Sequence, residues 1–107
     1  MGYCVVLSTF PNVNEARTVS KKLVENKLCA CANIIPTVNS IYVWQDKLVE
    51  DNEALVVLKT EQKMFQDVKD FISKEHSYEV PEIIMLEIKD GYEDYLSWIS
   101  KNVRYKL

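Results

Sequence analysis

His76 is the only histidine in the chain, and it follows Glu75 directly, with Glu79 and Glu82 a few positions on. An imidazole among carboxylates suits copper or zinc better than calcium, so His76 and Glu75 are candidate metal ligands. The competing reading of His76 is a loop histidine hydrogen-bonded across a subunit contact. Cys29 and Cys31 stand two apart, so on a strand their sulfurs share a face and could hold a thiophilic ion. Structural packing is the preferred reading for them, because cysteine behaves as a small buried hydrophobe and redox chemistry needs an exposed thiol of low pKa. A third set comprises Tyr42, Trp44, Glu53, Lys59 and Tyr78. Lys59 as a point charge, the aromatics as flat walls and Tyr78 as a hydrogen-bond donor would suit a cleft for an anionic metabolite. The alternative there is that Lys59 and Glu53 pair across a subunit boundary while the aromatics bury area.

These residues need elements to hold them. Residues 3–10 are β-branched and aromatic enough for a strand, which Pro11-Asn12 ends. Asn12 can then cap a helix with Glu15 three positions on, and Val13, Ala16, Val19, Ser20, Leu23 and Val24 recur at helical spacing to about Lys27. Leu28 to Ile35 reads as a buried strand, which Pro36 interrupts. The β pattern resumes from Val38 to Trp44, turns at Gln45-Asp46-Lys47 and returns from about Leu48 to Thr60, making a long hairpin. Thr60 is placed as the cap of a second helix carrying Met64, Phe65, Val68, Phe71 and Ile72. After a loop over 76–81 come a fourth strand over 83–88, a turn at Asp90-Gly91 and a short helix from Tyr92 to about Asn102, with an extended tail over 103–107. The order βαββαβ with a trailing helix is the ferredoxin-like α+β arrangement, a four-stranded sheet with two helices on one face. One domain over 1–107 is expected.

Such a sandwich leaves one sheet face uncovered, and in a lone subunit that face should be polar. Here both faces are apolar. The first strand offers Tyr3, Val5 and Leu7 on one side and Cys4, Val6, Ser8 and Phe10 on the other; the fourth offers Ile83 and Met85 on one side and Ile84, Leu86 and Ile88 on the other. If about six such side chains stayed wet, each forgoing roughly 1.5–3 kcal/mol, the loss would reach about 10 kcal/mol, comparable to a domain's whole stability. The hairpin adds Ile41 and Val43 on one side and Tyr42 and Trp44 on the other. Self-association is therefore expected; the alternative is that the third helix and the tail cover the sheet.

Composition narrows the partners. The chain has 107 residues, 48% of them hydrophobic, and a formal charge of −3; the isoelectric point is near 5.1. That leaves no basic excess for a phosphate backbone, so nucleic acid is not an expected partner. No apolar run approaches the roughly 20 residues of a membrane helix. Position 6 is Val6, where a myristoylation signal after Met1-Gly2 wants Ser or Thr. The cytoplasm is the expected compartment, and Cys4, Cys29 and Cys31 are expected to be reduced and buried, since three cysteines at these spacings make neither a disulfide framework nor a structural zinc site.

Six segments in order resemble the CutA divalent-cation tolerance family. They are Ser8 to Pro11; Leu23-Val24-Glu25 running into Leu28 to Asn33; Ser40 to Trp44; Glu53 to Thr60; His76 to Ile83; and Tyr95 to Ile99. The resemblance implies a ferredoxin-like subunit, a homotrimer with sheets facing inward and hairpin arms pairing with neighbours, and an architecture shared with PII-type signalling proteins. It also implies a role in tolerance of copper or zinc. In some members a metal is held by a Cys at the end of the first strand and two adjacent histidines; the corresponding positions here are Ser8, Glu75 and His76. Asp46 stands where the family often has Gly, and it tolerates the left-handed conformation. The expected function is metal or small-ligand binding at intersubunit clefts; the alternative is PII-like signalling or scaffolding with an anionic metabolite or a partner protein.

Enzymatic rivals find little support. An acylphosphatase-like phosphate cradle needs loop amides and Arg after the first strand, whereas this loop is Phe10-Pro11-Asn12 with Arg17 a turn into the helix. An RNA-recognition sheet needs a basic-Gly-aromatic motif that is absent here. Tyr95 and Trp98 are read as packing residues.

Overall fold

The structure, a computed structural model, describes residues 2–104. Its elements are β1 (Tyr3–Phe10), α1 (Val13–Glu25), β2 (Cys31–Trp44), β3 (Lys47–Glu61), α2 (Phe65–Glu75), β4 (Ile84–Ile88) and α3 (Glu93–Lys101), with a 3₁₀ turn over Gln62–Met64 ahead of α2. The strands form one antiparallel sheet in the order β2-β3-β1-β4. This is the ferredoxin-like arrangement expected from the order of elements.

Alternation along β1 and β3 decides the two faces. Cys4, Val6, Ser8 and Phe10 are buried beside Ala54, Val56, Leu58 and Thr60, and α1 and α2 cover them with Ala16, Val19, Leu23, Val68 and Ile72. The helices form because their apolar residues recur at three and four positions. Asn12 caps α1 as expected, its side chain accepting from the Glu15 backbone N–H at 2.8 Å.

The opposite face stays open over much of its area. Val5, Leu7, Leu55 and Val57 are half-buried, while Ile35, Ile84 and Leu86 are exposed. α3 covers only one end, where the Tyr3 and Ser100 hydroxyls lie 2.7 Å apart and Ser100 donates to Glu61 at 2.7 Å. The hairpin arm runs beyond the sheet and makes the molecule 44 Å long against 27 and 22 Å across.

Several local expectations are corrected. Thr60 does not cap α2: it is a buried strand residue whose hydroxyl donates to the Leu28 carbonyl at 2.7 Å, and α2 begins after the 3₁₀ turn with no side-chain cap. β2 starts at Cys31 rather than Leu28, because Lys27 takes a left-handed turn (φ 62°) out of α1 and residues 28–30 enter irregularly. Cys29 and Cys31 are therefore not a same-face strand pair; Cys29 is buried and Cys31 only half-buried. Pro36 does not end β2. The strand continues through a bulge, since Ile35 pairs with Leu55 while Val38 pairs with Glu53, leaving Pro36 and Thr37 opposite the single residue Ala54. The hairpin turn narrows to Gln45-Asp46, both with φ near +51° to +64°. Of the tail expected to extend over 103–107, residues 105–107 lie outside the described residues. No helix among the described residues is long and apolar enough to cross a membrane.

Candidate functional site

The bulge at Pro36 builds the site. Directly opposed residues of antiparallel strands share a face. Before the bulge Cys31, Asn33 and Ile35 oppose Lys59, Val57 and Leu55; after it Val38, Ser40 and Tyr42 oppose Glu53, Asp51 and Val49. One extra residue thus moves Ser40, Tyr42 and Trp44 to the side of Glu53. An unbroken strand would have put Ile41 and Val43 there.

Past the end of α2 the loop is tied down over the end of β1. Tyr78 N–H donates to His76 Nδ1 at 3.0 Å, so the ring carries its proton on Nε2, which donates to the Thr9 carbonyl at 2.7 Å. The ring stacks on Phe10 with centroids 4.3 Å apart and leans on Tyr78 at 4.8 Å. Ser77 donates its backbone N–H and its hydroxyl to the Glu15 carboxylate at 3.0 and 2.8 Å, anchoring the loop to the first turn of α1. These bonds lie within one subunit.

Arm and loop enclose a cleft of about 720 Å³. Glu53 stands in its wall with only 7% of its surface exposed, and Tyr78 donates its hydroxyl to the Glu53 carboxylate at 2.7 Å. Tyr42 and Trp44 come from the arm, Glu79, Val80 and Glu82 from the loop. Tyr42 donates to Asp51 at 2.9 Å, and that bond holds its phenol above the usual pKa. Burial, then the bond to Glu53, push Tyr78 up strongly. Both phenols therefore stay protonated in neutral solution.

Of the residues singled out in the sequence, Tyr42, Trp44, Glu53 and Tyr78 meet in this cleft. Lys59 does not: six residues along β3 from Glu53, roughly 20 Å at strand rise, it opposes Cys31 and donates to the Asn33 side chain. Glu75 and His76 are not brought together as a ligand pair either. Glu75 ends α2 pointing to α1, where it pairs with Lys22 at 2.8 Å, and both His76 nitrogens are engaged with backbone. Ser8 is fully buried, its hydroxyl without a partner among the described residues. Among the described residues no group of three or more His, Cys, Asp or Glu side chains is placed to hold a metal ion. Glu79 and Glu82, weighed in the sequence only as neighbours of His76, turn out to line the cleft; the Pro36 interruption was the signal for the arm's side of it, since the bulge sets which residues the arm presents.

Fold and site define a class: a ferredoxin-like α+β subunit with an open apolar sheet face and an acidic, aromatic cleft beside a projecting arm. The sequence profile described as CutA1 divalent ion tolerance protein matches residues 4–102. The chain belongs to the CutA1 divalent ion tolerance family. It is 46% identical over 98 residues to the divalent-cation tolerance protein CutA of Thermus thermophilus, covering 92% of this chain and 95% of that one. It is 40% identical over 91 residues to the CutA protein of Homo sapiens, covering 85% of this chain but 51% of the human one, so it spans about half the human protein. Among solved structures, CutA1 of Oryza sativa superposes with TM-score 0.96 at 33% identity over 99% of this chain and 97% of that one. The Thermus thermophilus protein superposes with TM-score 0.92 at 44% identity over 95% and 99%.

Proposed function

We propose that the chain serves divalent-metal tolerance as a homotrimeric binding protein rather than an enzyme, with the arm-and-loop cleft as its ligand site at the subunit boundary. The observation that carries this reading is the cleft's one-sided charge: Glu53, Glu79 and Glu82 line it without a Lys or Arg. Such a lining favours a cation, copper or zinc among the metals, and opposes an anionic metabolite. The PII-like alternative loses its point charge with Lys59 at the far end of β3. Since the described residues of one subunit assemble no three-donor set, donors from a neighbouring copy are the proposed completion of a metal site. The relatives' names, divalent-cation tolerance proteins, agree with a cationic ligand.

The test is calorimetric titration of the purified oligomer with copper, zinc and ATP, comparing wild type with Glu53→Gln and His76→Ala. A metal response that survives His76→Ala and is lost in Glu53→Gln is the expected result. A response abolished only by His76→Ala, or a stronger response to ATP than to metal, would overturn the cleft assignment.

A further inference from the structure

Glu53 is a buried carboxylate. It accepts from Tyr78, but the lysine–carboxylate pairs Lys22–Glu75 and Lys63–Glu61 do not include it. A charge taken out of water is strongly disfavoured unless a cation or several donors meet it. The cavity beside it has the volume of a small-molecule site, and Tyr42, Trp44 and Tyr78 supply three aromatic walls. The two phenols are held in place by donating hydrogen bonds to Asp51 and Glu53.

A hydrated divalent ion gains little from aromatic walls and needs several oxygens at once. A substituted ammonium group differs on both counts, because it is weakly hydrated, carries apolar carbon around its charge and is attracted by aromatic π faces. We propose that the cleft binds an organic ammonium ligand, the rings of Tyr42, Trp44 and Tyr78 enclosing its alkyl groups and Glu53 balancing its charge. This rests on the cleft being the ligand site and names the chemical class of cation it prefers. Glu79 and Glu82 at the exposed side raise the local concentration of cations and set the ionic-strength dependence.

Tetramethylammonium chloride is the probe. In a Trp98→Phe background, Trp44 is the one remaining tryptophan, and its fluorescence should change saturably with tetramethylammonium and not with sodium chloride at equal ionic strength. Glu53→Gln should weaken binding roughly tenfold, and Tyr42→Leu by a similar factor. Should Glu53→Gln fail to fold, the double variant Glu79→Gln/Glu82→Gln should still show weaker binding and a flatter salt dependence. No saturable change, or an affinity unaltered by these variants, overturns the inference. Zinc chloride added to the same sample separates the two readings. A zinc response lost in Glu53→Gln, with tetramethylammonium silent, sinks the ammonium class and leaves the cleft as the site; silence to both sinks the cleft itself. Ammonium binding that appears only in Lys59→Ala would mark Lys59 of a neighbouring copy as the counterion of Glu53 and also overturn the proposal.

Discussion

Single side chains set the state of the cleft and the core. The Tyr78 hydroxyl donates to the Glu53 carboxylate, so Tyr78→Phe leaves a buried charge short of a partner. Urea unfolding should read a loss of about 1–2 kcal/mol, with the aromatic contact to His76 retained. Under the sheet, burial pushes the Cys4 thiol from 9.0 up to about 11. The unfolded chain therefore releases that proton near pH 9 and the folded chain only near 11, so between them unfolding is accompanied by proton loss. Stability is full below pH 9 and falls as pH rises toward 11; thermal melts across that window should show the fall, and Cys4→Ala should make it shallower, the remainder belonging to Cys29, whose thiol burial raises further. An equally steep fall in Cys4→Ala would assign the effect to other groups. At this scale the sequence named the cleft residues Tyr42, Trp44, Glu53 and Tyr78, because aromatic and acidic types are visible as letters. It could not supply the partners of Lys59, Glu75 and His76, because Asn33, Lys22 and the Thr9 carbonyl are distant in the chain.

Elements convert those side chains into a site. α1 was legible because its apolar spacing and its Asn12 cap are local, and Asn12→Ala should cost about 1 kcal/mol in denaturant unfolding. The cost belongs to the site as well as the helix, since Glu15 in that first turn holds Ser77 and through it the cleft loop. If Asn12→Ala leaves stability unchanged, the cap contributes nothing and the loop is anchored by Glu15 alone. α2 was harder to place. Thr60 has a good capping side chain, but its hydroxyl is already committed to the Leu28 carbonyl inside the core, and the 3₁₀ turn over Gln62–Met64 carries the chain into the helix instead. The Pro36 bulge was visible only as an interruption. A proline without an N–H cannot continue the ladder, yet whether the strand stops or bulges depends on Ala54 and its neighbours across the sheet.

The whole molecule carries an open apolar face that its own helices do not cover. Ile84 and Leu86 are 47% and 52% exposed, so in a lone subunit changing them to Lys should alter stability by no more than about 0.5 kcal/mol. In a trimer that shares this face the same changes would bury charge. Sedimentation should find wild type at the mass of three 12.5 kDa chains and Ile84→Lys/Leu86→Lys at the mass of one, still folded. A folded wild-type monomer stable to dilution would remove the trimer and the boundary clefts together. From the sequence alone came the order of elements, the ferredoxin-like sheet and the apolarity of both its faces, because helical and strand periodicities are written in neighbouring residues. Only the tertiary structure decided that Tyr42 and Trp44 face Glu53, that Lys59 lies at the far end of β3, and that His76 spends both nitrogens on backbone. Those outcomes follow from a one-residue bulge and from contacts dozens of positions apart, where the side a residue takes is set by its partner strand and not by its own neighbours.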